Sequence, residues 1–275
     1  MLSPNFYNTI FVFPILNLLV TFYKLFLLIH LPGALGWAII FLTAFIRLLL
    51  HPFFDQQVQT SKKMQDIKPR LDQLSAKHKK DPKKLQIEQM RLYKEAGVNP
   101  AAGCLFLIIQ IPIFIALYST LNLFLTQGTT GNIINSINNA LYFSFLKITT
   151  IDPWFFGFNL ALTPAKGGVW YYYLIPVVTG VLQYFQAIAT VPPPQKKEHK
   201  KEENKVEKKE GAGDDFQKAM QTQMKYFFPI LIGWFSYSLP VGLSLYWNIF
   251  SLFSIIHYKK AHSKEKFSML DTLTH

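Results

Sequence analysis

Long apolar runs separated by short basic segments constrain the fold of this chain more than any other feature. Only 16% of its 275 residues are charged, against about 25% in a soluble domain. Five apolar runs approach the ~20 helical residues that cross a hydrocarbon core about 30 Å thick. We therefore expect an all-α polytopic membrane protein with transmembrane helices at 34–54, 99–126, 169–190, 222–239 and 241–258. Pro240 and Gly242 predict a tight reversal between the last two helices.

A sixth apolar stretch, 10–30, is less regular. Pro14, Asn17 and Lys24 interrupt it, and Pro32-Gly33 ends it. Its many aromatic residues are typical of a helix that lies in the membrane surface. We predict such an interfacial amphipathic helix within 1–33, while a sixth span remains an open alternative.

The distribution of Lys and Arg predicts the orientation. Segment 55–98 holds eleven of them, 191–225 holds nine and the tail after Tyr258 holds four, whereas 127–168 holds only Lys147 and Lys166. Basic segments stay in the cytoplasm, which places 127–168 and the N-terminus outside and the C-terminus inside. Six spans would instead place the N-terminus inside. The net charge of +12 does not indicate a soluble nucleic-acid-binding protein, because its cations lie between apolar runs.

The three basic segments differ in pattern. Within 55–98, apolar residues recur at helical spacing on both sides of Asp81-Pro82, which predicts two amphipathic helices in an antiparallel cytoplasmic hairpin. Segment 191–221 is rich in Pro, Lys and Glu, which is typical of a disordered linker. The remainder, 259–275, is a basic tail.

Polar residues inside the predicted spans carry most of the functional information, because lipid disfavours them. Arg47 shares a helix face with Thr43 and His51, and Gln110 lies in the second span. Simpler explanations of these polar residues are that Arg47 snorkels to the membrane surface and that the others form hydrogen bonds between helices. The face that contains Arg47 and two further polar stripes together favour a hydrated cavity. The other two stripes are Thr179, Gln183, Gln186 and Thr190 in the third span, and Ser244, Asn248, Ser251 and Ser254 beside Trp247 in the fifth.

No set of catalytic residues accompanies these stripes. The predicted spans contain no Asp or Glu, and the single cysteine, Cys104, has apolar neighbours. No two histidines have the sequence spacing of a metal site, and His51 and His257 lie at the ends of spans. We therefore expect no enzyme activity, no cofactor and no metal.

Several motifs along the chain, in this order, resemble the YidC family of membrane protein insertases. After Arg47, they are LYKEAGVNP at 92–100, GCL at 103–105, QIPI at 110–113, ALY at 116–118 and LPVGLSLYW at 239–247. The resemblance implies five helices around a hydrophilic groove that is open to lipid and cytoplasm and closed outside. This chain departs from the family pattern at Phe106, at Phe250-Ser251 and at His257. We expect a short form without the large extracytoplasmic domain of some members.

The resemblance implies an insertase that receives nascent membrane proteins in the positively charged groove and releases their helices into the bilayer. The resemblance also implies a location in the bacterial plasma membrane. Partners consistent with it are the ribosome, the signal recognition particle pathway and the Sec translocon. A groove within one chain predicts a monomer. The alternative is a small-anion transporter or channel that uses the intramembrane arginine. The expected groove residues are Arg47, Gln110, Gln186, Trp247, Thr43, Gln183 and Ser244.

Overall fold

The fold is almost entirely helical. A computed structural model describes residues 3–78, 81–99, 102–127, 131–190 and 223–273, without the side chains of 65, 102–110, 126–127, 131–132, 190, 224 and 261–273. A single pair of two-residue antiparallel strands in this part of the chain, β1 (Trp154–Phe155) and β2 (Phe158–Asn159), interrupts the helices. The helices are α1 (Phe13–Leu28), α2 (Ala34–Leu49), α3 (His51–Lys77), α4 (Pro82–Glu95), α5 (Ala102–Asn122), α6 (Gly131–Asn139), α7 (Leu174–Thr190), α8 (Phe228–Ser238) and α9 (Val241–Leu273).

Several of these helices can cross a membrane. Within the described ranges, Asn8–Leu28, Trp170–Ala189 and Val241–Lys260 are long and apolar enough, and Ile111–Leu125 is a shorter apolar helix. A further candidate is the pair Ala34–Leu49 and His51–Met64, whose two parts are bent by 66°. These features agree with the predicted class, an all-α polytopic membrane protein. The number of five spans stays a prediction.

The bend between α2 and α3 lies earlier than the span boundary predicted at residue 54. Helix α2 ends at Leu49, and α3 begins at His51 with Pro52 in its first turn. A proline cannot donate a backbone hydrogen bond to the preceding turn and is favoured at a helix start. Phe54 therefore belongs to the same helix as the hairpin and lies across the bend from Arg47.

The predicted reversal at Pro240 separates α8 from α9. The hydroxyl groups of Ser236 and Ser244 lie 2.7 Å apart, whereas eight residues of a continuous helix would span about 12 Å. The chain folds back between them, and both helices pack against α7.

The described part of the predicted extracytoplasmic loop, residues 131–168, packs on the helices. Asn138 both donates to and accepts from the backbone of Ile148, at 2.9 Å each. The first two backbone N–H groups of α9 also bind this loop. Val241 donates to the Leu162 carbonyl and Gly242 to the Leu160 carbonyl, both at 2.9 Å. These bonds satisfy donors that a helix start leaves free, so the loop fixes where α9 begins.

Helix α1 makes its polar contacts with this loop. The side chain of buried Asn17 donates to the Ala140 carbonyl at 3.0 Å and accepts from the Tyr142 N–H at 2.7 Å. Lys24 donates to the carbonyls of Phe145 and Lys147 at 2.6 and 2.9 Å. Asn17 and Lys24 are about 10 Å apart along the helix, so α1 runs alongside the loop. Asn8–Leu28 is also long and apolar enough to span a membrane, so the interfacial placement of this helix stays a prediction.

Helices α3 and α4 pack against each other. Ile67, Leu71 and Leu92 form a small buried cluster of their own, and the Asp81 side chain caps α4 by accepting the Lys84 N–H at 3.0 Å. Burial raises the pKa of Tyr93 at the edge of this cluster. The location of this hairpin in the cytoplasm stays a prediction. The predicted linker 191–221 lies outside the described residues, and α9 continues through the predicted tail to Leu273.

Candidate functional site

Arg47 is the only charged residue of α2 and lies in its last turn. Its side chain is only 9% exposed. One terminal nitrogen, Nη2, donates to the Phe250 carbonyl at 3.2 Å and to the Ser254 hydroxyl. The Nε–H is buried and has no hydrogen-bond partner among the described residues. The guanidinium is thus desolvated and only partly satisfied.

Two aromatic rings cover this guanidinium. The carbon at its centre lies 3.9 Å from the ring centre of Phe54 and 4.2 Å from that of Phe250. Such contacts between a cation and an aromatic face stabilise the cation, by about 2 kcal/mol or more when the pair is desolvated. A small cavity beside them is lined by Thr43, Ile46, Arg47, Leu50, Phe54, Tyr246 and Phe250. The structure therefore shows a closed arrangement around Arg47.

Of the predicted groove residues, Thr43 lies beside Arg47 at the small cavity. It lines the same cavity and is 2% exposed. Its hydroxyl donates to the Ile39 carbonyl of its own helix at 2.7 Å, as threonines in membrane helices commonly do.

Gln183 and Ser244 make contacts between helices and do not line the cavity of Arg47. Gln183 Nε2 donates to the Ser251 hydroxyl at 3.0 Å. The Ser236 hydroxyl of α8 lies 2.7 Å from the Ser244 hydroxyl and donates to the Thr179 hydroxyl at 3.4 Å. Ser236, Ser244 and Thr179 are fully buried, so these hydroxyl groups join α7, α8 and α9. A role in a hydrated groove stays a prediction for both Gln183 and Ser244.

The remaining predicted residues surround the same helices. Trp247 packs against Phe114 of α5, with ring centres 5.4 Å apart. Gln186 is half-buried on α7, and the side chain of Gln110 lies outside the described residues. Asn248 adds a buried side-chain oxygen, Oδ1, that has no hydrogen-bond partner in the described part of the chain.

Sequence reasoning missed the covering rings and a cluster one turn beyond Arg47. Apolar segments contain many phenylalanines, so nothing in the sequence distinguished Phe54 and Phe250 as partners of the arginine. His51 and His257 lie on different helices, yet both contact the carboxylate of Asp55 at 3.0 Å. Nothing in the sequence indicated that these histidines meet, because sequence spacing does not report contacts between distant helices, and the expectation that the protein binds no metal stays a prediction.

Comparison with known proteins identifies similar chains. The profile of the family described as 60Kd inner membrane protein matches residues 27–266. The membrane protein insertase YidC of Oceanobacillus iheyensis is 30% identical over 272 residues, which cover 96% of this chain and 88% of that protein. The inner membrane ALBINO3-like protein 2 of Chlamydomonas reinhardtii, a chloroplast protein, is 33% identical over 231 residues, 82% of this chain. The chain spans about half the length of that relative, 49%, and 48% of ALBINO3 of Arabidopsis thaliana.

Proposed function

This chain belongs to the 60Kd inner membrane protein family, and from that premise we propose that it is a membrane protein insertase. Its substrates are nascent membrane proteins whose helices it passes into the bilayer. The printed names of the bacterial and chloroplast relatives support this assignment. The chain is a multi-pass membrane protein, and its proposed location is the plasma membrane of a bacterium.

The observation that carries the proposal is the buried charge of Arg47. No carboxylate pairs with it among the described residues; its partners are a hydroxyl, a carbonyl and two aromatic rings. At an effective dielectric constant of about 20, a carboxylate 4 Å away would interact by roughly 4 kcal/mol. An acidic residue in an arriving segment is the partner that this site lacks. The free Nε–H provides a donor for it.

Access to Arg47 requires the covering rings to move. Phe54 lies in the first turns of α3, the long helix of the hairpin, so a change in the bend between α2 and α3 would displace it. We infer that substrate arriving on the cytoplasmic side shifts this bend and opens the groove. Asn248, with its unused Oδ1, offers a second polar contact in the helix bundle.

The insertion step needs no covalent chemistry. A polar segment that crosses hydrocarbon costs several kcal/mol per unsatisfied group, and a groove that reaches part of the way shortens this path. Arg47 attracts the acidic segment, and the membrane potential favours its outward movement by about 2.3 kcal/mol per charge per 100 mV. The substrate helix then partitions into lipid.

The hairpin of α3 and α4 is the proposed first contact for the substrate. Its predicted segment, 55–98, holds eleven Lys and Arg against six Asp and Glu, a net charge of +5, which attracts anionic headgroups. Ile87 and Met90 expose apolar surface on α4, which suits an apolar nascent segment.

The remaining proposals concern topology and partners. We place the N-terminus and 127–168 outside, the C-terminus in the cytoplasm, and five spans around the groove of one monomer. The basic end of α9 is a candidate contact for the polyanionic RNA of a ribosome. Signal recognition particle and Sec translocon remain proposed partners.

The direct test is insertion into proteoliposomes of a single-span substrate with a short acidic outer segment. Vesicles with this protein should protect that segment from added protease, and vesicles with an unrelated multi-pass protein should not. Equal protection in both would overturn the proposal. Selective anion flux in the same vesicles, without insertion, would instead favour the transporter.

A further inference from the structure

Three potential metal ligands meet where α3 begins beside α9. The Nδ1 atom of His51 lies 3.0 Å from Oδ2 of Asp55, and Nε2 of His257 lies 3.0 Å from Oδ1 of the same carboxylate. The two imidazole ring centres are 5.1 Å apart, and the three candidate ligand atoms all lie within 4.8 Å of one another. Asp55 is one turn after His51, so α3 itself holds this pair in place.

This arrangement differs from an ordinary surface ion pair, because two imidazoles share one carboxylate. Each of the three groups can provide a lone pair, and donor atoms in a tetrahedral zinc site lie about 3.3 Å apart, as the ~2.0–2.1 Å metal–ligand bonds require. Two histidines and one carboxylate are a ligand set for zinc and for other divalent first-row metals. We propose that His51, Asp55 and His257 form a binding site for a divalent transition metal such as Zn²⁺.

The exposure of the cluster leaves room for a metal and its remaining ligands. The side chains of His51 and Asp55 are 52% and 46% exposed, and that of His257 is 20% exposed. Water can therefore complete the coordination. Arg47, one turn before His51, disfavours a second cation nearby, so we expect weaker binding than at a similar site without that charge. This proposal does not depend on insertase activity.

A metal in this site would tie two distant elements together. His257 belongs to α9, whose Ser254 and Phe250 contact Arg47, and the other two ligands belong to the first turns of α3. The bound ion would therefore link the base of the hairpin to the last helix, next to the ring of Phe54 that covers the arginine.

The test is metal titration of the full chain in detergent, after removal of any affinity tag and treatment with chelator. Zn²⁺ is titrated by calorimetry, and Co²⁺ by its visible absorption bands. We expect one equivalent to bind. His257→Gln and Asp55→Asn should each weaken binding at least tenfold, whereas His78→Gln, a histidine at the end of α3, should leave it unchanged.

Melting temperature provides a second measurement that does not rely on a single variant. Zn²⁺ should raise it in the wild type and in His78→Gln, but not in His257→Gln, because a ligand that binds only the folded state stabilises it. Absence of stoichiometric binding to the wild type would overturn the proposal. Equal binding by His257→Gln and the wild type would also overturn it. So would a His257→Gln melting temperature that lies below the wild-type value by the same amount with and without Zn²⁺, because an ion pair alone behaves in this way.

Discussion

At the scale of single residues, the polar side chains of the helices divide into two groups. Arg47 has a buried charge without a carboxylate partner among the described residues. The hydroxyl groups of Thr179, Ser236 and Ser244 satisfy one another between helices. The stripes visible in the sequence predict that these positions face inward. They do not predict which of them bind a neighbouring helix and which remain available for a substrate.

Ser236→Ala tests this division, because it removes the hydroxyl that joins α8 to both α7 and α9. We expect a loss of about 0.5–1.5 kcal/mol in the free energy of unfolding, measured in mixed micelles. Insertion per folded molecule should not change. The exposed Ser238, two residues later, provides the control, and Ser238→Ala should alter neither quantity. Reduced insertion by Ser236→Ala at unchanged stability would assign this network to the groove instead.

At the scale of elements, the loop residues 131–168 and the helices determine one another's position. The ring of Phe155, in β1, occupies the space beside Gly36 of α2, where an added Cβ would lie 2.2 Å from it. Glycine in an apolar helix is ambiguous in the sequence, because it permits close packing against a helix, a loop or lipid. The sequence therefore indicated helix α2 but could not indicate that a strand packs against it.

Gly36→Ala should destabilise the protein by about 1–3 kcal/mol, the usual cost of overpacking. Gly180→Ala is the matched control, because its Cβ would meet the Pro229 carbonyl oxygen at an ordinary 3.5 Å. Melting temperatures in detergent measure both. Equal melting temperatures for the two variants would contradict the packing of Phe155 against α2.

Cysteine labelling decides between the two placements of α1. In a variant that lacks Cys104, single cysteines replace the exposed Phe6 and Leu28, near the two ends of the helix. If α1 lies in the outer membrane surface, a membrane-impermeant maleimide added outside should label both positions. Labelling from outside at Leu28→Cys but not at Phe6→Cys would show that α1 spans the membrane and that the N-terminus is inside.

At the scale of the whole molecule, the helical class and the family could be predicted from the sequence. Apolar length and motif order determine these, and both are local properties of the chain. The reversal at Pro240 could also be predicted, because proline ends a helix. The covering of Arg47 by Phe54 and Phe250 and the meeting of His51 with His257 could not, since they depend on how α3 and α9 pack.

The central claim is that the positive charge of Arg47 binds acidic residues of the substrate's outer segment. The most direct test compares wild type, Arg47→Lys and Arg47→Ala in the proteoliposome assay, with two substrates that differ only in an acidic or a neutral outer segment. We predict that Arg47→Ala reduces insertion of the acidic substrate about tenfold or more, since a partly buried ion pair contributes more than ~1.4 kcal/mol. Arg47→Lys should retain most activity, and the neutral substrate should depend little on residue 47. An equal loss for both substrates, or full activity of Arg47→Ala, would contradict this account.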